Sequence, residues 1–337
     1  MKIPYRTRKA LTRAGIVLLI AALCAGLVWL CWTVWLGRYI VYTRDGAALD
    51  FSLSQNFDGE PALPPEKGEP VSIYYNEGDN AVSTSKELEK MNGYYVELSQ
   101  LKGSIPQVRE QILALPEDAA ILVDVKNSQG GFYYSSSVRD TRSGAIDTAA
   151  MDELIKFLKQ SGRYTIARFS ALRDYEYART NILEGITDRR GYVWMDNDHG
   201  YWLDPTRQKV VTYLVQTVNE LRELGFNEVV LTDFDIPQEE HVIFSADRSK
   251  VLTDLASTLV TTCGSDTFCI SFQKTREFTL PEGRCRLYAE CGDATSAASM
   301  AASSGLADPS IFLVFLTENY DTRLEDYSVL HPLSSAH

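Results

Sequence analysis

The chain has 337 residues, and its 45 acidic side chains against 33 Lys and Arg give a net charge of −12. Five positive charges precede Ala14 and no acid precedes Asp45, so the remainder carries −17, a field that disfavours nucleic acid as a partner. The roughly 245 residues from Gly93 onward are enough to bury one full core, which fits one large α/β domain better than several small ones.

Residues 1–13 form a basic tail with Lys2, Arg6, Arg8, Lys9 and Arg13. Ala14 to Leu36 then gives 23 uncharged residues, long enough as a helix to cross a hydrocarbon core of about 30 Å. The positive-inside bias predicts a single-pass span at residues 14–36 in the lipid bilayer. The N-terminus is then cytoplasmic, and the C-terminal domain extracellular at the cell membrane. Trp29, Trp32 and Trp35 fall near its outer end, where indoles favour the headgroup boundary. A cleaved signal peptide fits less well, because the apolar run is long and lacks a small-x-small cleavage site. A lipid-modified Cys24 is disfavoured by the bulk of Leu23.

Residues 37–70 read as an acidic stalk, with Pro61, Pro64, Pro65 and Pro70 discouraging regular structure. Val71–Tyr75 is a candidate short strand and Ser83–Met91 a candidate short helix. Residues 71–337 make up the expected extracytoplasmic domain. From Gly93, β-rich runs alternate with amphipathic ones. Strands are predicted at Tyr94–Leu98, Ala120–Lys126, Tyr164–Ser170, Glu228–Asp235, Phe268–Phe272, Arg286–Glu290 and Ile311–Leu316. Helices are predicted near Ile105–Leu115, Thr148–Gln160, Thr206–Leu224, Lys250–Thr261 and Thr295–Ala301. Such alternation predicts an α/β fold with a parallel sheet, and the strand count favours a TIM-like (β/α) barrel. The barrel is complete if Val71–Tyr75 or an unrecognised segment supplies an eighth strand, and atypical otherwise.

Cys263, Cys269, Cys285 and Cys291 share a short window. Disulfides are compatible with an exterior location, and Cys263–Cys285, joining two positions at strand starts, is the preferred pairing of three. Zinc is disfavoured by the spacing and the absence of a nearby histidine. No Gly-rich phosphate loop or G-x-S-x-G elbow occurs, so no cofactor is expected. Asp196-Asn197-Asp198-His199-Gly200 has a calcium-loop look, but Arg207 stands where a bidentate Glu is needed, so a polar turn is predicted.

In a (β/α) barrel the reactive groups sit at the C-terminal strand ends. Strict alternation places Asp124 with Lys126 on one face of the second strand and Asp233 with Asp235 on one face of the fourth. Arg168 ends the third strand, Glu290 the sixth, and Glu318 follows the seventh. A ring of acids with two cations suits glycoside hydrolysis, which needs one protonated and one ionised carboxyl. Tyr175, Tyr177, Tyr192, Trp194, Tyr201 and Trp202 crowd the insertion after the third strand. Trp194 and Trp202 are the better candidates for stacking on a sugar ring.

Several runs in order carry a family resemblance. They are Gly93-Tyr94-Tyr95-Val96, Val123-Asp124-Val125-Lys126 with Gly130, and Ile166-Ala167-Arg168 with Asp174. Trp202-Leu203-Asp204-Pro205 and Gly225-Phe226-Asn227-Glu228-Val229 leading to Pro237 follow. Over about Gly93–Pro237 the chain resembles a domain-of-unknown-function family of glycoside-hydrolase-like (β/α) barrels. The resemblance implies hydrolysis of a polysaccharide or cell-wall glycan. After its fourth strand that family carries Asp, Tyr and then Arg before Phe-Pro, where this chain has Thr232, Asp233 and Asp235. Asp233-Phe234-Asp235-Ile236-Pro237 is also similar to the Asp-Trp-Glu-Tyr-Pro strand end of family 18 chitinase-like barrels, with Asp235 in place of the glutamate.

The resulting expectation is Asp233 or Asp235 as acid/base, Glu290 or Asp124 as the second carboxylate, and Lys126, Arg168, Trp194, Trp202 and Glu318 as substrate-binding residues. The alternative is a non-catalytic barrel that binds envelope glycan or a partner protein. Thr232 and Asp235 at the altered strand end favour it.

Overall fold

The computed structural model describes residues 24–26, 29, 40–43, 46–49, 88–273 and 278–336. Two compact units divide at residues 79 and 80. In the first, Ile40–Thr43 pairs antiparallel with Gly46–Leu49, so part of the segment expected to be an irregular stalk is a hairpin. Among the described residues no helix is long and apolar enough to cross a membrane. The expected span at 14–36 lies almost wholly outside them, as does Val71–Tyr75.

The second unit is a closed barrel of eight parallel strands in sequence order. They are β1 Asn92–Tyr95, β2 Ala120–Lys126, β3 Thr165–Ser170, β4 Glu228–Thr232, β5 Cys269–Gln273, β6 Leu287–Glu290, β7 Leu313–Leu316 and β8 Ser328–Pro332. Seven lie where the alternation put them, with ends moved by a few residues. The eighth is Ser328–Pro332, which pairs with both β7 and β1 and closes the barrel.

The covering helices are α1 Leu98–Gly103, α2 Ile105–Ala114, α3 Thr148–Gln160, α4 Tyr175–Thr180, α5 Gln208–Leu224, α6 Arg248–Cys263, α7 Ala294–Ser303 and α8 Pro309–Phe312. Several acids of this chain serve as their caps: Asp147, Asp174, Asp247 and Asp293 each accept from backbone N–H groups in the first turn. Helix α5 stops at Gly225, whose φ of 99° is left-handed and where a Cβ would meet Lys159. Leu88–Met91, the described end of the helix expected over Ser83–Met91, is not helical.

Two apolar layers hold the fold. Ala120, Leu122, Ile166, Val230, Val314 and Leu330 fill the barrel, while Val123, Val125, Ala167, Phe169, Val229 and Leu231 face outward into the larger core under the helices. At the N-terminal end of the barrel the interior turns polar. Glu228 is fully buried and accepts from Tyr164 OH, Ser271 Oγ, Tyr288 OH and Arg286 Nη1. Four donors on one buried carboxyl satisfy its hydrogen-bonding capacity without water.

The four C-terminal cysteines are free and buried, which corrects the preferred Cys263–Cys285 pairing. Cys263 ends α6 and contacts Val215 O, whereas Cys285 donates to Pro281 O. Burial pushes the Cys285 thiol up to about 12 and raises the thiols of Cys263, Cys269 and Cys291.

Candidate active site

Asp124 and Arg168 stand opposite each other in the β2–β3 register. Their side chains pair through two bonds, Nε to Oδ1 at 2.5 Å and Nη2 to Oδ2 at 3.1 Å. The guanidinium opens onto a concavity of about 470 Å³ whose wall also includes Tyr95, Glu290 and Glu318. Tyr95 ends β1, Glu290 ends β6 and is exposed, and Glu318 follows β7 and is exposed. Burial raises the Tyr95 hydroxyl, and Glu318 and Glu290 add to that while Arg168 opposes it, which places these charges around one phenol. Tyr133, beside Asp124, is pushed up to about 12 by burial and then by that carboxylate. It remains a hydrogen-bond donor at neutral pH.

Lys126 is not part of this mouth. The ladder between β2 and β3 slips between Asp124 and Lys126, and the extra residue turns Lys126 to the outer face. Its ammonium, 1% exposed, lies 2.9 Å from Asp174 Oδ2 and donates to Ser170 O at 2.7 Å. Asp174 in turn caps α4 through Tyr177 N and accepts from Tyr213 OH. Gly130 has φ +88°, and a Cβ there would fall 2.2 Å from Asp174 Oδ1. The expected shared face of Asp124 and Lys126 is therefore corrected, and with it the substrate-binding role of Lys126.

The expected shared face of Asp233 and Asp235 is corrected as well. Strand β4 ends at Thr232, and Asp233 takes a left-handed φ of 48°, which breaks the two-residue alternation. Asp233 Oδ2 lies 2.6 Å from Ser170 Oγ. Asp235 is exposed and opens instead into a lateral cleft of about 510 Å³, with Trp194, Asp196, Trp202, Gln238 and Glu239 in its wall.

The polar turn predicted at Asp196–Gly200 is present and has a task. Asp196 accepts from Asp198 N and Gly200 N, from both Nε and Nη2 of Arg173, and from Trp202 Nε1 at 2.9 Å. Partial burial works against its charge, but the bonds from Arg173, Gly200 and Trp202 overcome this and hold its carboxyl below the ordinary range.

The structure thus divides the expected site residues. Arg168, Glu290 and Glu318 meet at the mouth, where Asp124 holds Arg168, while Trp194, Trp202 and Asp235 meet in the lateral cleft. Asp233 lies with Ser170 at the end of β3. Among functional candidates, Tyr95, Tyr133 and the Arg173–Asp196 pair carried no prediction. Tyr95 is two residues from Gly93 and ends its strand, a period-two signal on the inward face; Tyr133 follows a bulge and carries none.

Residues 95–251 match the family described as "Putative glycosyl hydrolase domain". That match falls on most of the segment whose residues carried the resemblance, so the first half of the barrel is similar to that glycosyl-hydrolase-like family. No protein of curated function matches the sequence. Among solved structures, the chain is similar to a hypothetical protein from Ruminiclostridium thermocellum at 18% identity and TM-score 0.44, covering 58% of this chain and 96% of that one. It is also similar to the family 36 α-galactosidase AgaA of Geobacillus stearothermophilus in complex with stachyose, at 10% identity and TM-score 0.51. That alignment covers 74% of this chain and 40% of the galactosidase, so the chain spans less than half of that enzyme. At these identities the likeness is one of fold.

Proposed function

We propose that the chain is a membrane-anchored glycoside hydrolase whose reacting carboxyls are Glu290 and Glu318 and whose substrate is a cell-envelope or extracellular polysaccharide. The observation that carries this reading is the convergence of Glu290, Glu318, Tyr95 and Arg168 on one concavity at the C-terminal strand ends. The barrel family of residues 95–251 supports the substrate class. One glutamic acid protonates the leaving oxygen and the other acts ionised on the anomeric carbon or on water. Asp124 is already engaged on both oxygens by Arg168, so its task is to fix the guanidinium for sugar hydroxyls rather than to attack. Anchoring rests on the uncharged run at 14–36 and the basic tail before it.

The test is release of reducing ends from purified cell-wall glycans by the full chain, by Glu290→Gln and by Glu318→Gln. Loss of cleavage of at least a hundredfold in both variants is expected, and full activity in either defeats the assignment.

A second reading is a non-catalytic barrel that binds glycan. It is favoured by the separation of Asp235 from the mouth and by the commitment of Asp124 to Arg168. Wild-type protein that retains glycan while releasing no reducing ends supports it.

A further inference from the structure

The mouth and the lateral cleft lie along the course of one strand and the loop after it. Arg168 in β3 lines the mouth. Further along, Ser170 Oγ is bonded to Asp233 at 2.6 Å, and Arg173 pairs with the backbone of Trp202, which lines the cleft. From Arg168 to Arg173 the chain advances five residues, a reach of at most about 18 Å even when fully extended. Among the described residues the two concavities share none of their lining, so a ligand that touches both is longer than one sugar ring.

The cleft is built as an aromatic strip. Trp194 N donates to Ile186 O and Ile186 N donates to Trp202 O, both at 2.8 Å, and the antiparallel bridges Thr187–Val193 and Gly185–Leu203 fix the same register. In-register residues of an antiparallel sheet share a face. Trp194 and Trp202 therefore stand on one face with buried Ile186 between them, their backbones two strand spacings or about 10 Å apart. Trp202 is also clamped: its Nε1 donates to Asp196, whose carboxylate takes two bonds from Arg173. An indole fixed in advance loses little rotamer freedom on binding, and its face matches the apolar C–H face of a pyranose ring. Both tryptophans are only partly buried and line the cleft, so the strip is open to a ligand.

We propose that one glycan chain occupies the mouth and the cleft together, so that the bond cut at Glu290 and Glu318 is internal to a polymer and the cleft holds pyranose units several rings removed from it. Water adds across that bond, its hydroxyl going to the anomeric carbon and its proton to the leaving oxygen, which frees a shorter polymer on each side rather than a mono- or disaccharide. This rests on the hydrolase reading above and adds to it the length of the substrate and the place of the cut.

The experiment uses the full chain in lipid nanodiscs and three probes from one source: soluble cell-wall glycan, and the octasaccharide and disaccharide fractions of its partial acid hydrolysate. In titration calorimetry the octasaccharide should bind about tenfold more tightly than the disaccharide. Trp202→Ala should weaken the octasaccharide about tenfold and collapse that advantage, while Trp202→Phe, which keeps an aromatic face, should recover most of it. Trp194→Ala repeats the test if Trp202→Ala fails to fold. Absent octasaccharide binding, or a length advantage unmoved by these variants, overturns the proposal. Size-exclusion chromatography of the polymer, scored beside reducing ends, should show its length falling throughout while few ends are released. Length-dependent binding without reducing ends defeats the hydrolase reading and leaves the two concavities as one binding track. Release of mono- and disaccharides from a polymer whose length holds defeats this proposal alone.

Discussion

Asp124 and Arg168 are directly opposed across β2 and β3 and share two hydrogen bonds, each side chain about one-fifth exposed. A pair this sheltered is sensitive to the loss of one member. Arg168→Met leaves the Asp124 carboxylate without its counter-charge and should cost about 1–3 kcal/mol in urea denaturation. The same variant should lower glycan affinity at the mouth. Unchanged stability would mean the pair is loose in solution.

The buried pair of Lys126 and Asp174 makes a sharper case. Lys126→Met strands a carboxylate inside the outer core, with an expected loss of about 3–5 kcal/mol. If Lys126 instead held substrate, the variant would be stable and would show only a raised KM. Equilibrium unfolding beside steady-state kinetics separates the two.

How far the sequence went is clear at these two lysine and aspartate positions. Identity and strand membership of Lys126 were legible, but a one-residue bulge decides which face it takes, and nothing in Val123-Asp124-Val125-Lys126 announces a bulge. Asp233 and Asp235 were misassigned for a related reason: the left-handed φ of Asp233 ends the alternation on which the shared face depended. Strands β2 to β7 were readable because each is a β-rich run followed by an amphipathic helix or a long loop. Strand β8 is preceded only by a short 3-10 turn at Thr322–Leu324 and ends in proline, so neither the period nor the alternation marks it. Trp194 and Trp202 were found by composition alone. The Asp196 clamp that orients Trp202 comes from a turn, whose geometry the residue types indicated but whose partner they did not.

Glu220 supplies a pH test. Its carboxylate accepts from Tyr134 OH, Ser136 Oγ, Ser137 N and Ser137 Oγ, tying the loop after β2 to α5. Burial works against the charge, but the bonds from Ser136, Ser137 and Tyr134 prevail and lower its pKa. A folded pKa below the unfolded value of about 4.3 gives stability that is full above that pH and is lost as the pH falls through the folded pKa. Glu220→Gln should therefore lower stability at pH 7 and flatten its decline between about pH 5 and pH 3. Thermal melts across that range read both effects, and parallel curves for the two proteins would exclude this role.

The thiols provide the last test. Cys263, Cys269, Cys285 and Cys291 are buried, with pKa values raised by burial, and the thiolate is the reactive form. Iodoacetamide at pH 7.5 should leave all four unlabelled in the native protein and label all four in denaturant without reductant. Peptide mapping reads this directly. A native protein in which Cys263 and Cys285 become accessible only after reduction would restore the disulfide.

The closure of the barrel by β8 has a consequence for biogenesis. Met91 N donates to Ser328 Oγ across 237 positions of chain, so β1 waits through the synthesis of six further strands before it gains its second neighbour. During that interval the nascent domain is an open sheet with two bare edges, β1 and whichever strand was made last. Bare edges pair readily with foreign strands, and contacts of such long sequence separation form slowly. The topology thus leaves the β1 edge open to mispairing until Ser328–Pro332 has been synthesised.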